Sequence, residues 1–298
     1  MPPINKFIEK IICLPHSEKQ NVYTLDEAVT LQNKVLNHLI RRAKFTAFGE
    51  HYQFSKIINS DNVELQFKET VPVHTYNDMY IRWWYRPLNG ETYVTWPGKM
   101  KYFITKERNG RYTGRTVPVS RAIMSSYFVA GKRYLSKFPA LKNTRQNKNT
   151  LKPDYNKTYY GGTLYEILAH TYPIKYHLCL KNIYSHKNKV EESGVLITEV
   201  GVVGIRIVSK DNEYKLIVDN GIYYEFIQTN DTIVSDTKKL LQKHAKTTLS
   251  LSQIKDNTNY SLILTNNSGA WRYVTGFNIK FTDIENLRFI VTNKLKDI

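Results

Sequence analysis

Between Leu25 and Phe48 the apolar side chains fall at Ala28, Leu31, Val35, Leu36, Leu39, Ile40 and Ala43. That spacing lines one face of an α-helix, and Thr24 stands where an N-cap belongs. An amphipathic helix is predicted over 25–48. Pro72 then stops regular structure, and the stretch after it predicts a short helix beginning near Thr75, with Trp83 and Trp84 beyond. Residues Gly90 to Lys101 alternate and turn at Pro97-Gly98. Residues 102–119 predict a β-hairpin with its corner at Asn109-Gly110, and Arg121 to Phe138 is again helical in pattern.

Tyr159 to Tyr172 reads as a strand, a turn at Gly161-Gly162 and a helix. The pattern then changes. Val195–Ile207, Tyr214–Val218, Ile222–Ile227, Tyr260–Thr265, Trp271–Thr275 and Phe289–Thr292 are short β-branched or aromatic runs. They are separated by turn signals such as Asp219-Asn220-Gly221 and Asn267-Ser268-Gly269. Helices and a hairpin followed by many strands predict a mixed α/β (α+β) fold. Three stretches follow: 1–138, helices and hairpin; 139–194, a basic connector and a short middle; and 195–298, the β-rich part of the same domain.

The chain has 298 residues, room for one large domain or two small ones, and 41% of them are hydrophobic, as in a folded protein. Its longest apolar stretch, Gly194 to Val208, is broken by Glu199 and Arg206, so no membrane span is expected. Glu9 and Lys10 interrupt the apolar run near the N-terminus, unlike a signal peptide. Cys13 and Cys179 are too few for a disulfide framework. These features together predict a cytoplasmic protein. Lysines and arginines number 43 against 26 acids, a net charge of +17, which raises nucleic acid or another polyanion as a partner. The densest run is Lys132, Arg133, Lys137, Lys142, Arg145, Lys148, Lys152 and Lys157, with Asp154 the lone acid. It reads as a solvated connector, with a polyanion site as the alternative; no nucleic-acid-binding motif accompanies it. The eight histidines, His170 and His177 among them, form no metal-ligand pattern, so no metal is expected. Cys179 beside His177 is too little for a nucleophile, and no G-x-S-x-G elbow occurs.

Six strings, in order, carry a resemblance: TAFGEHYQFSKI (46–57), ETVPVHTYNDM (69–79), WPGKMKYF (96–103), VPVS (117–120), DNGIYYEFI (219–227) and YSLILTNNSGAWRYVTGFNIKFTD (260–283). They are similar to the auxin-responsive family of acyl-acid-amido synthetases, within the adenylate-forming superfamily. The resemblance implies a large nucleotide-holding domain closed by a small lid. Its reaction joins a carboxylic acid and ATP-Mg²⁺ into an acyl-adenylate, which an amino acid then attacks. The match is poor between about Pro139 and Val195, where this chain is shorter than the family, and Ile298 falls about where the lid would begin. The implied fold is therefore a remnant of the N-terminal domain without its lid.

The family's site residues map one at a time, and several are altered. A Ser/Thr/Gly-rich phosphate loop corresponds to Lys106-Glu107-Arg108-Asn109-Gly110, where Glu107 would repel phosphate; Lys106, Arg108 and Arg111 are the cations left there. The metal-associated glutamate corresponds to Val200, with Glu199 one place upstream beside Thr198 and ahead of Gly201. On a regular strand that displacement turns the side chain to the opposite face unless a bulge restores it. The ribose-binding aspartate corresponds to Phe277 in the Trp271-Arg272-Tyr273-Val274-Thr275-Gly276-Phe277 frame. A phenyl ring cannot accept the ribose hydrogen bonds. A hinge arginine corresponds to Lys294.

Tyr223, Tyr224, Phe226, Trp271 and Tyr273 suggest an aromatic wall, as core or as the lining of a residual pocket, and Arg272 between two of them suggests a structural ion pair. The reading is a scaffold that keeps the family's fold, takes no cofactor and acts by binding, with a paralogous synthetase or a second copy as partner. The rival is an active synthetase using ATP and Mg²⁺, with Glu199 and Lys294 as its catalytic candidates.

Overall fold

The computed structural model describes residues 23–108, 111–137, 154–155, 160–173, 175–176, 194–207, 212–229 and 247–294. Cys13, Asn109, Gly110, His177, Cys179 and most of the basic run lie outside those residues.

Helix α1 (Leu25–Ala43) starts at Thr24, whose side chain accepts from the Glu27 amide while Glu27 reaches back to the Thr24 amide. Its apolar stripe buries Ala28, Leu36, Leu39, Ile40 and Ala43. The helix stops short of the predicted Phe48. Thr46 turns its amide and hydroxyl onto the Ala43 carbonyl, at 2.9 and 2.7 Å, and accepts from the Gly49 amide at 3.1 Å. One helix is thereby closed and the next, α2 (Ala47–His51), is opened. Glycine at 49 permits the close return: a Cβ there would lie 2.1 Å from the Ala43 oxygen. Gln32 sits on the apolar stripe for a specific reason. Its amide nitrogen donates to the carbonyls of Val218 and Ile222, at 3.1 and 3.0 Å, and its oxygen accepts from the Tyr224 amide at 2.9 Å.

Helices α3 (Phe54–Ile58) and α4 (Val63–Thr70) follow. After Pro72 the chain pairs briefly with the central sheet through His74. Thr75 and Asp78 form the capping box of α5 (Tyr76–Met79), which runs into a π-helical turn (Tyr80–Trp84) and α6 (Tyr85–Leu88). Trp83 and Trp84 face inward from that turn.

A four-stranded sheet has the order β2-β1-β4-β3. Strands β1 (Tyr102–Arg108) and β2 (Arg111–Val119) pair antiparallel with Arg108 opposite Arg111, and the predicted Asn109-Gly110 corner lies outside the described residues. Strand β4 (Tyr160–Gly162) runs parallel to β1 and antiparallel to β3 (Asp154–Tyr155). Gly161-Gly162 is thus strand rather than turn; the chain turns at Thr163, which caps α8 (Leu164–Thr171). Between the two strand pairs lies α7 (Arg121–Lys137). Within the basic run, Arg133 is bound by both Asp219 oxygens at 2.7 and 2.6 Å, which ties α7 to the sheet.

The larger sheet is built from β5 (Val195–Thr198), β6 (Gly201–Arg206), β7 (Glu213–Leu216), β8 (Ile222–Gln228), β9 (Asn259–Asn266), β10 (Tyr273–Asp283) and β11 (Arg288–Lys294). Their order is β5-β6-β7-β11-β10-β9-β8, and every pair is antiparallel. The run 195–207 breaks at Glu199-Val200 into two strands, and β10 extends well past the predicted Thr275. The edge strand β8 shows its outward backbone groups to Gln32, so α1 covers an edge that would otherwise invite pairing. The main core joins α1, α7 and this sheet around Trp84, Trp271, Tyr224 and Phe281. Among the described residues no helix is long and apolar enough to cross a membrane.

Candidate functional site

The turn between β5 and β6 is built by Thr198. Its hydroxyl donates to the Gly201 carbonyl at 3.0 Å and accepts from the Val200 amide at 3.3 Å. Gly201 passes so close to Ile222 that a Cβ would lie 2.6 Å from its Cδ1. A register shift between Leu196 and Ile197 precedes the turn. Glu199 therefore does not follow strand alternation. Val200 points into the core, while the Glu199 carboxylate accepts from the Tyr273 hydroxyl at 3.2 Å and lies 3.8 Å from the Arg115 guanidinium.

Arg115, on β2, lies over the Tyr76 ring at 5.0 Å from its centre, and Tyr76 stacks on Tyr80 at 5.5 Å. The Tyr76 hydroxyl accepts from the Thr116 amide at 2.7 Å. The corner thus offers one carboxylate and one guanidinium, 21% and 18% exposed, against an aromatic floor. Burial pushes the Tyr273 hydroxyl well above the ordinary tyrosine range, Glu199 adds to that, and Arg115 opposes it. Burial also raises Tyr76, partly offset by its Thr116 hydrogen bond. Both phenols stay protonated, and Tyr273 serves Glu199 as a hydrogen-bond donor. Arg115 and Tyr76 carry no motif of their own in the sequence, although Tyr76 lies inside the 69–79 string and Arg115 two residues before VPVS.

Phe277 and Lys294 are brought together by another route. They are cross-strand partners on β10 and β11, with the Lys294 ammonium 4.8 Å from the ring centre. A register shift between Val274 and Asn278 lets Gly276 take φ +76, and Phe277 is buried. Lys106 and Arg108 end β1.

The remaining sequence candidates are core. Tyr224 donates its hydroxyl to the Ile217 carbonyl at 2.7 Å. The Trp271 indole donates to the Thr95 carbonyl at 3.0 Å and stacks on Phe48. Tyr223, Phe226 and Tyr273 are as deeply buried. Arg272 is not on a strand, although it lies in the predicted run Trp271–Thr275, and it does form the expected structural ion pair. It precedes β10 at φ +46 with its side chain fully buried against Glu225, 2.9 Å away. His74 beside it carries no motif of its own, although it lies inside the 69–79 string. Its Nδ1 lies 2.9 Å from the Trp271 carbonyl and its Nε2 3.4 Å from the Tyr52 hydroxyl. Burial pulls the His74 pKa down to about 4.

The sequence model of the GH3 family N-terminal domain matches residues 19–193, and that of the GH3 family central domain matches residues 215–289. Among solved structures, "AtGH3.15 acyl acid amido synthetase in complex with 2,4-DB" superposes with a TM-score of 0.64 at 13% identity, covering 95% of this chain and 70% of that one. A second, "GH3.15 acyl acid amido synthetase", gives 0.60 at 13% identity over 90% and 68%. No curated protein sequence matches the chain. At that identity the structural likeness is one of fold.

Proposed function

Because the chain belongs to the GH3 family, we propose that it keeps the acyl-acid-amido-synthetase scaffold while its adenylating chemistry has lapsed, and that it works by binding. One observation carries this reading. At the position that the resemblance assigns to the family's ribose-binding aspartate stands Phe277, whose ring is buried with the Lys294 ammonium 4.8 Å from its centre. A ring there accepts no hydrogen bond, so a ribose packed against it would leave its hydroxyls unpaired, at a cost of roughly 1–3 kcal/mol each.

ATP-Mg²⁺ therefore does not fit the residues present. The Glu199 carboxylate is engaged by the Tyr273 hydroxyl and lies 3.8 Å from the Arg115 guanidinium, and the described residues hold no cluster of three His, Cys, Asp or Glu side chains placed for a metal. The Tyr76, Arg115 and Glu199 corner remains able to hold a small polar group against aromatic rings. The partner we propose is a paralogous active synthetase in the cytoplasm, with self-association as the alternative.

A second reading, an active synthetase that forms an acyl-adenylate and then an amide, is favoured by the register shift and turn that bring Glu199 onto Tyr273. One experiment separates the two: pyrophosphate release with hydroxylamine trapping, on folded protein with ATP-Mg²⁺ and a panel of carboxylic acids. Silence across the panel is expected. Release above a heat-killed control would overturn the reading and make Glu199 the first residue to replace.

A further inference from the structure

Arg272 breaks two local rules at once. It holds a left-handed backbone at φ +46, where a long side chain rarely sits, and its charged head is wholly buried. Such a conformation persists only where its surroundings over-determine it. Here they do. The Arg272 amide donates to the Thr265 hydroxyl at 2.9 Å, and its carbonyl accepts from the His74 amide at 2.9 Å. Nε donates to both Glu225 oxygens at 3.1 Å, and Nη2 donates to the Thr248 hydroxyl at 2.8 Å. Nη1 donates to the carbonyls of Lys68, at 2.8 Å, and Val71 at the end of α4.

The neighbours on both sides are held as well. The Trp271 carbonyl faces the His74 ring at 2.9 Å, and the Val274 amide donates to the His74 carbonyl at 3.0 Å. Between these fixed points stands Tyr273, whose hydroxyl reaches Glu199. The phenol is a long lever. A rotation on the order of 10° at its base moves the hydroxyl by about 1 Å, beyond the ~0.5 Å tolerance of a preorganised site.

We infer that Arg272 is a positioning residue for the Glu199 corner: its buried bracket sets where the Tyr273 hydroxyl stands and so fixes the orientation of the Glu199 carboxylate beside Arg115. The inference rests on the reading of that corner as the site, but its test needs neither ATP nor an acid, so the two can fail separately. Protein labelled with 3-fluorotyrosine gives a fluorine resonance for Tyr273, identified by its loss in Tyr273→Phe. Glu199→Gln is expected to shift that resonance when Arg272 is intact. It is expected to leave the resonance unmoved in an Arg272→Lys background, which keeps the charge and loses the fork. Thr265→Val, which removes only the acceptor of the Arg272 amide, provides a milder background with the same expected loss should Arg272→Lys fail to fold. An equal Glu199→Gln shift in either background would overturn the inference. So would an equal disturbance at Tyr260, a remote tyrosine whose hydroxyl accepts from the Lys255 amide.

Discussion

Lys294 stands opposite Phe277 in the ladder between β10 and β11, its ammonium 4.8 Å from the centre of the buried ring. The two residues contribute unequally. Phe277→Ala removes a fully packed ring and is expected to cost about 3–5 kcal/mol. Lys294→Met removes one cation–π contact at an exposed site and is expected to cost no more than about 1 kcal/mol. Urea unfolding of the two variants checks the ranking. Equal losses would mean that the pair, rather than the ring's packing, holds this end of the sheet.

The Arg272–Glu225 pair predicts strong non-additivity. Glu225→Gln leaves a guanidinium buried without its counter-charge, and Arg272→Met leaves the carboxylate so. Each is expected to cost about 3–5 kcal/mol. The double variant should lose less than the two single losses together, which a double-mutant cycle in urea measures directly.

His74 makes the fold sensitive to acid. Its pKa is pulled down to about 4 in the folded protein, from an ordinary 6.5, chiefly by burial. The folded state then binds fewer protons than the unfolded chain between those values, so stability is complete above pH 6.5 and falls as pH drops toward 4. The full loss is on the order of 3 kcal/mol. Urea midpoints across that range should decline in the parent protein and less steeply in His74→Gln. Parallel slopes would assign the acid response to other groups.

Gln32 predicts a local opening. In Gln32→Leu the Ile222 carbonyl and Tyr224 amide keep their burial and lose their partner, a cost of about 1–3 kcal/mol for each group. Hydrogen exchange at the Tyr224 amide should accelerate more than at Leu264, its partner on β9. Uniform acceleration would indicate global destabilisation instead.

Much of the secondary structure is legible along the chain because it depends on neighbours: the Thr24 cap, the stripe of α1 and the helix start at Thr75 are all local. The stop at Ala43 is not, since Thr46 closes one helix by opening another, and a periodic pattern does not register that choice. Phe277 and Lys294 are legible one at a time through the family resemblance, whereas their stacking depends on strand register. Alternation misplaces Arg272 because that rule assumes extended backbone, and φ +46 ends the assumption. Glu199 is legible through the family resemblance and Arg115 is not; their meeting depends on the register shift in β5 and the turn after it.

The larger sheet puts β11 between β7 and β10, so a strand late in sequence joins two hairpin systems made earlier. Leu287 and Phe289 bury their side chains at that seam. During synthesis the β5–β7 ribbon and the β8–β10 ribbon therefore emerge as two separate half-sheets with complementary bare edges. They stay unjoined until β11 has been made. Unpaired strand edges are templates for pairing with other chains, so that interval is one in which the half-sheets are open to aggregation.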